Sequence, residues 1–453
     1  MQYFYKLILS LTTFVFLTFP VSVNALAPVV YPQIIATSLA PSGIEAIIEF
    51  TSTVVMPENT QLTQQTLTNM AIKQTSHLLS VFEVEEYTKK IGGWSSDVLG
   101  LISLGPMVSV TYISDKNTNL GHEVTYRAVQ RVIARRRLIQ PGETKALPLF
   151  IPRDPSKIYA LECTSRQVPE KEFFFYFWNP FKRGCASQLT GVNKVDEVTA
   201  SLTGLPIPNP ETTRPDYASL AAQARARGEL RVSVLLGFDS SWRNRQDVGR
   251  RSYNALIDQF VNKSGFQIVK VGDYKTKPFI DLVRAESATQ PKVSLSISLT
   301  ESDIDRPVIF AQRARYAYEN SDIVVYAGHS GLGGSLNLDK IAAFSSSNPA
   351  MPIPIRFPNA YQILYFDSCA SYYFYAHSYA LQRRGMRKVD VISNGLASYF
   401  LSQNEDIRVF VKTFSALQTF IDAEGSPSWL DILNRIERAP GPSYFVNVLQ
   451  VRQ

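Results

Sequence analysis

Cysteine and histidine are scarce in this chain, three and four respectively in 453 residues. With no Cys-x-x-Cys pair and so few imidazoles, a zinc site has no ligand set, and neither a metal nor a cofactor is expected. Beyond the amino terminus no segment stays apolar over the ~20 residues a bilayer-spanning helix needs, which excludes an integral membrane segment from the rest of the chain. Basic clusters such as Arg135-Arg136-Arg137 stand alone, without interleaved aromatics, so no nucleic-acid partner is expected. The stretch GHSGLGG at 328–334 lacks the Lys-Ser/Thr ending of a phosphate-binding loop.

The amino terminus reads as an export signal. Lys6 precedes an apolar run from Leu7 to Phe19, and small residues follow at Val23-Asn24-Ala25. Pro20 interrupts the run and Pro28 would crowd a cut at Ala27, so cleavage is placed after Ala25. The mature chain is expected to be periplasmic or secreted. Removing Lys6 lowers the net charge from +7 to +6, a mild excess. In an oxidising compartment an even pair of cysteines tends to bridge and an odd one stays free. Cys163 and Cys185 flank one aromatic stretch and are expected to form a disulfide, which leaves Cys369 as the thiol to explain.

At 45% hydrophobic and 19% charged residues the chain has enough apolar matter for a packed core, and its length exceeds one ordinary domain of about 100–200 residues. The segment GLPIPNPETTRP (204–215) resists regular structure because Pro cannot join helix or sheet ladders. A linker with a short helix is therefore placed at 204–229. Before it, 26–203 reads as an α+β domain of unknown role. Alternating strands are expected at GIEAIIEFTS, MVSVTYIS, EVTYRAVQRVIA, KALPLFI and KIYALECTS, with a helix over about 60–84. His77 and His122 are lone residues there.

After the linker, over 230–453, near-continuous apolar strands (RVSVLLGFD, SDIVVYAG, YQILYFD, VDVIS) alternate with helical segments, among which PFIDLVRAES is counted. That rhythm predicts an α/β domain with a mostly parallel sheet covered on both faces. Such sheets place function at the carboxyl ends of their strands. AGHSG and DSCAS both fall there.

A serine nucleophile at Ser330 fails the G-x-S-x-G pattern, because Leu332 stands where the second glycine belongs. The later His377 lies inside a helical pattern. The pairing of His329 with Cys369 explains more. An imidazole that takes the thiol proton supplies thiolate at neutral pH and then protonates the leaving amine. Backbone N–H groups near Gly331 and at Cys369 would form the oxyanion hole. Asp367 either meets a substrate cation or caps the helix that follows, and Ser393-Asn394-Gly395 borders the same edge.

A strand ending in His-Gly, followed by one ending in an acid or amide, any residue and Cys, resembles the caspase-like (clan CD) cysteine peptidases. VVYAGHSG and ILYFDSCAS carry the likeness, which covers roughly residues 230–400. The chain departs from that pattern where Ser330 intervenes before the glycine and where Ala-Ser-Tyr-Tyr-Phe follows Cys369. The resemblance implies a caspase-like fold, His329 as general base and Cys369 as nucleophile. It also implies Asp367 as a binder of basic side chains in a protein or peptide substrate. The alternative is a catalytically inactive, exported caspase-like binding module. Oligomeric state is not legible.

Overall fold

The computed structural model describes residues 38–56, 59–82, 84–93, 100–157, 162–163, 178–238, 241, 243–272, 279–287, 291–301, 308–383, 389–396, 405–422, 426–438 and 445–451. The expected signal segment and most of the expected strand KIYALECTS lie outside the described residues.

In the first half, β1 (Ser38–Leu39) leads into β2 (Gly43–Met56), which runs antiparallel to β4 (Gly121–Arg135) along its whole length. Ile44, Ala46, Ile48 and Phe50 alternate onto one buried face of β2, which is why this stretch is a strand. A turn through Gly121, at φ +122°, joins β4 to β3 (Ile102–Thr118). A second hairpin, β5 (Thr144–Pro152) with β6 (Val195–Gly204), attaches to β2 through β6. The helix expected over 60–84 is instead α1 (Gln64–Ser76), capped by Thr63, and a short α2 (Leu78–Val81), with the break at His77. The helix α3 (Glu85–Lys90) follows.

The Pro-rich stretch carries neither helix nor strand from 205 to 216. Asp216 then caps α4 (Tyr217–Arg227) by accepting from the Ser219 N–H at 3.0 Å, and Gly228 ends it at φ +80°.

Five parallel strands follow: β7 (Leu230–Phe238), β10 (Val293–Glu301), β11 (Ile323–Ala327), β12 (Gln362–Asp367) and β13 (Val389–Ser393). Their order across the sheet is β10-β7-β11-β12-β13, a doubly wound arrangement whose switch point lies between β7 and β11. Every residue of β11 and β12 is buried because helices cover both faces. On one face pack α4, α5 (Val248–Asp258), α9 (Glu405–Asp422) and α10 (Trp429–Glu437), against Ile323, Val325, Ile363 and Tyr365. On the other lie α6 (Val308–Asn320), α7 (Leu338–Ser345) and α8 (His377–Gln382), against Val324, Tyr326, Leu364 and Phe366.

The sheet is mixed at both flanks. PFIDLVRAES, expected as helix, contains β9 (Phe279–Arg284), antiparallel to β10 and to β8 (Gln267–Val271). Ile280 and Leu282 are buried while Phe279, Asp281 and Val283 face the other way, so a period of two prevails once neighbouring strands supply hydrogen bonds. On β10, Val293, Leu295, Ile297 and Leu299 enter the core while Ser294 and Ser296 line a partly open face. At the other flank β14 (Asn447–Val451) runs antiparallel to β13, and β1 runs antiparallel to β14. The sheet therefore continues unbroken from the first half of the chain to the second.

Cys163 and Cys185 are bonded and fully buried, as a chain held in an oxidising compartment allows. Among the described residues, no helix is long and apolar enough to cross a membrane.

Candidate active site

Parallel pairing sets Ala327 beside Asp367, so His329 and Cys369 each lie two residues past that paired position, on neighbouring strands. Adjacent strands are about 4.8 Å apart, so the two residues leave the sheet at one rim. Both side chains are half-buried, and Cys369 is not in a disulfide.

The turn after β11 is shaped by close approach. A Cβ on Gly328 would stand 2.7 Å from the Tyr326 hydroxyl and 3.1 Å from the Gly237 Cα, so a side chain there would have to displace the buried Tyr326 ring. Gly331 then adopts φ +53° and opens a short 3-10 turn. Its N–H makes no hydrogen bond to a described residue. After β12 the chain turns as sharply: Ala370 holds φ +47°, a left-handed conformation that costs an L-residue about 1 kcal/mol or more. The strain is held from outside. The Ala370 N–H donates to the Leu396 carbonyl at 3.0 Å, and the Tyr372 N–H to the Asn394 carbonyl at 2.9 Å. The Ser371 hydroxyl donates to the Phe366 carbonyl at 2.6 Å and accepts from the Asn394 N–H at 2.8 Å. A π-helical turn, Tyr372–Ala376, then leads into α8.

Two tyrosines tie the histidine loop to the cysteine turn, and a third braces that loop from its own strand, β11. Tyr375 donates to the Ser330 carbonyl at 2.6 Å, Tyr379 to the Leu336 carbonyl at 2.8 Å, and Tyr326 to the His329 carbonyl. Burial pushes the Tyr375 and Tyr379 phenols well above their ordinary range, so both remain protonated donors. Sequence reasoning passed over this clamp. The signal for its two helical members was the i, i+4 spacing of Tyr375 and Tyr379, which puts both polar-tipped rings on one helical face.

Asp367 is 3% exposed, and its Oδ1 accepts from the Asn394 side-chain amide at 2.7 Å. Its Oδ2 is buried without a hydrogen bond to any described residue. The alternative role as a cap on the following helix is not among the hydrogen bonds it makes, and that helix starts at Ser371 without a side-chain cap. Ser393 and Asn394 are fully buried, Ser393 donating to Asn447 Oδ1 at 3.0 Å.

The other histidines stand elsewhere. His122 meets Asp115 at 2.5 Å on the long β3–β4 hairpin. His77 is buried beside Trp178, with ring centroids 6.1 Å apart. His377 is 4% exposed on α8, 3.7 Å from Glu45. Burial outweighs that carboxylate and holds the His377 imidazole down at about 4, and burial with the Lys73 charge holds His77 at about 3. Both values lie below the ordinary 6.5, so the unfolded chain takes up these protons first. Stability should therefore fall as pH drops from about 6.5 toward 4. Thermal midpoints measured across that range should decline, and His377→Gln should decline less steeply. Equal slopes for the two proteins would contradict the assignment.

No protein-family model, curated protein or solved structure matches this chain. Among the described residues, no group of three or more His, Cys, Asp or Glu is placed to hold a metal ion.

Proposed function

We propose that the chain is an exported, caspase-like cysteine endopeptidase that cleaves peptide bonds with a Cys369–His329 dyad. One observation carries the reading: the cysteine outside the disulfide and a half-buried imidazole follow adjacent parallel strands in equal register, next to the sheet's switch point. The motifs VVYAGHSG and ILYFDSCAS, which resemble that peptidase group, add to it.

His329 takes the Cys369 proton and the thiolate attacks the scissile carbonyl carbon. The Gly331 N–H and the Cys369 N–H meet the oxyanion as it forms. Collapse of the tetrahedral adduct expels the amine, which receives the proton from imidazolium, and water then hydrolyses the thioester. Asp367, a buried acid two residues before the nucleophile, lends the cleft a negative potential that favours Arg or Lys before the scissile bond. The engagement of the Ala370 N–H by Leu396 favours a second reading, a binding platform without turnover, since it occupies one amide beside the thiol.

The test is a panel of peptides differing at the single position before the scissile bond, offered to the full chain without residues 1–25. Cleavage of the Arg and Lys members at a rate at least about tenfold above the Glu member is the expected result. Cleavage indifferent to charge would remove Asp367 from the account. No cleavage of any member would leave the platform.

A further inference from the structure

β8 is the last strand of its flank, with β9 as its partner among the described residues. All five of its residues are exposed, with Ile268, Val269 and Val271 at 51%, 64% and 48%. Proteins normally blunt such an edge, because its outward N–H and C=O groups template another strand. Here one lysine and a register step between Ile268 and Lys270 stand beside three aliphatic side chains.

The step divides these side chains between two grooves. Ile268 and Val271 line one of about 450 Å³ with Tyr253, Ile257, Ile280 and Leu299, which is mainly apolar. Val269 and Lys270 line another of about 780 Å³, with Phe279, Arg313 and Tyr316 as walls and sheet serines as floor. Arg231, Lys270, Lys292 and Arg313 bring four positive charges to this second groove, against Glu229 and Asp281. Glu229 engages Arg231 at 2.9 Å and Lys292 at 3.4 Å. Lys270 and Arg313 converge instead on the Phe279 ring, 5.6 and 3.9 Å from its centroid, and Asp281 offsets part of the Arg313 charge.

We propose that β8 accepts an extended segment of a partner polypeptide as an added strand, with acidic and aliphatic side chains in alternation. Alternate side chains of a strand point to opposite faces, so one set enters the cationic groove and the other the apolar groove. Main-chain hydrogen bonds to the edge supply affinity, and the two grooves supply selectivity. A second copy of this chain fits poorly: β8 holds no carboxylate and would set Lys270 against the cationic groove of its twin. The surface lies on the flank beyond β10 and β9, so its use does not depend on the dyad.

The test uses the full chain without residues 1–25, bearing Cys369→Ala so that no probe is consumed. Fluorescence anisotropy follows two short labelled peptides, one alternating Glu and Val, the other Lys and Val. The Glu-Val peptide should bind saturably, at least about tenfold more tightly than Lys-Val, and weaken as salt rises. Lys270→Glu with Arg313→Glu should invert that preference, and Ile268→Asp should weaken both peptides. These sites are on or near the surface, and an unchanged melting midpoint confirms that the variants fold. Absence of saturable binding, or equal binding of the two peptides, overturns the proposal. So does a dimer in sedimentation that competes with the peptide, which would assign the edge to a second copy.

Discussion

If the proposed dyad is right, Cys369→Ala and His329→Ala should each lower kcat/KM for Arg-containing peptides by about a thousandfold or more, while melting close to the parent protein. Loss of the nucleophile removes the covalent route outright. Loss of the imidazole leaves a thiol that is largely protonated at neutral pH and a leaving amine without its acid. Effects of this size are ordinary for groups that act as one unit, and the double variant should be little worse than either single one. Both side chains are half-buried past strand ends, with Cys369 packed at the edge of the core, and the melting curve reads whether folding survives. Residual activity within tenfold of the parent in either variant would contradict the dyad. Steady-state kinetics beside a melting curve reads both outcomes.

Glu45→Ala should cost about 3–5 kcal/mol of stability, the cost of breaking a buried ion pair by removing one partner. Glu45 lies on β2 and is 2% exposed. Its carboxylate accepts from the Tyr372 hydroxyl at 2.8 Å, from Arg131 at 3.0 Å and from the Ser38 N–H at 2.8 Å. Removal takes a buried acceptor from a phenol, an amide and a partly buried guanidinium at once. Glu45→Gln keeps one acceptor oxygen and should lose less. Tyr372 opens the π-helical turn three residues after Cys369, so the same change should loosen the turn that carries the thiol. Urea unfolding followed by fluorescence tests the first effect. An unchanged midpoint in Glu45→Ala would show that the network contributes nothing net.

That network also bears on how much of the molecule could be read from the sequence. The parallel strands were legible because IVVYA and QILYFD are buried on both faces, which forces uninterrupted apolar runs. The disulfide was legible from parity and spacing. The strand at 279–284 was not, since six residues with two buried aliphatics fit a helical turn equally well until β8 and β10 pair with them. Nor was the continuity of the sheet. β1 is two residues long and meets β14 across almost the whole chain, with Leu39 opposite Val448, so no local pattern announces it. A chain cut within 204–215 would strip β14 of that neighbour and Tyr372 of Glu45, which is why the full chain is used throughout.

Of the site, residue types and strand-end positions were readable at 329 and 369, whereas their supports were not. The tyrosine clamp and the Ala370 conformation arise from packing between segments distant in sequence. Asp367 sits deeper than a residue meant to touch substrate directly, so any influence on specificity acts through its field.

The most direct measurement is the rate of Cys369 alkylation by iodoacetamide at pH 6–7, compared among the native chain, native His329→Ala and an unfolded control. A thiol that shares its proton with His329 reacts far faster than the unfolded control, and the His329 variant loses that advantage. A native rate equal to or below the unfolded one, unchanged by His329→Ala, would contradict the account.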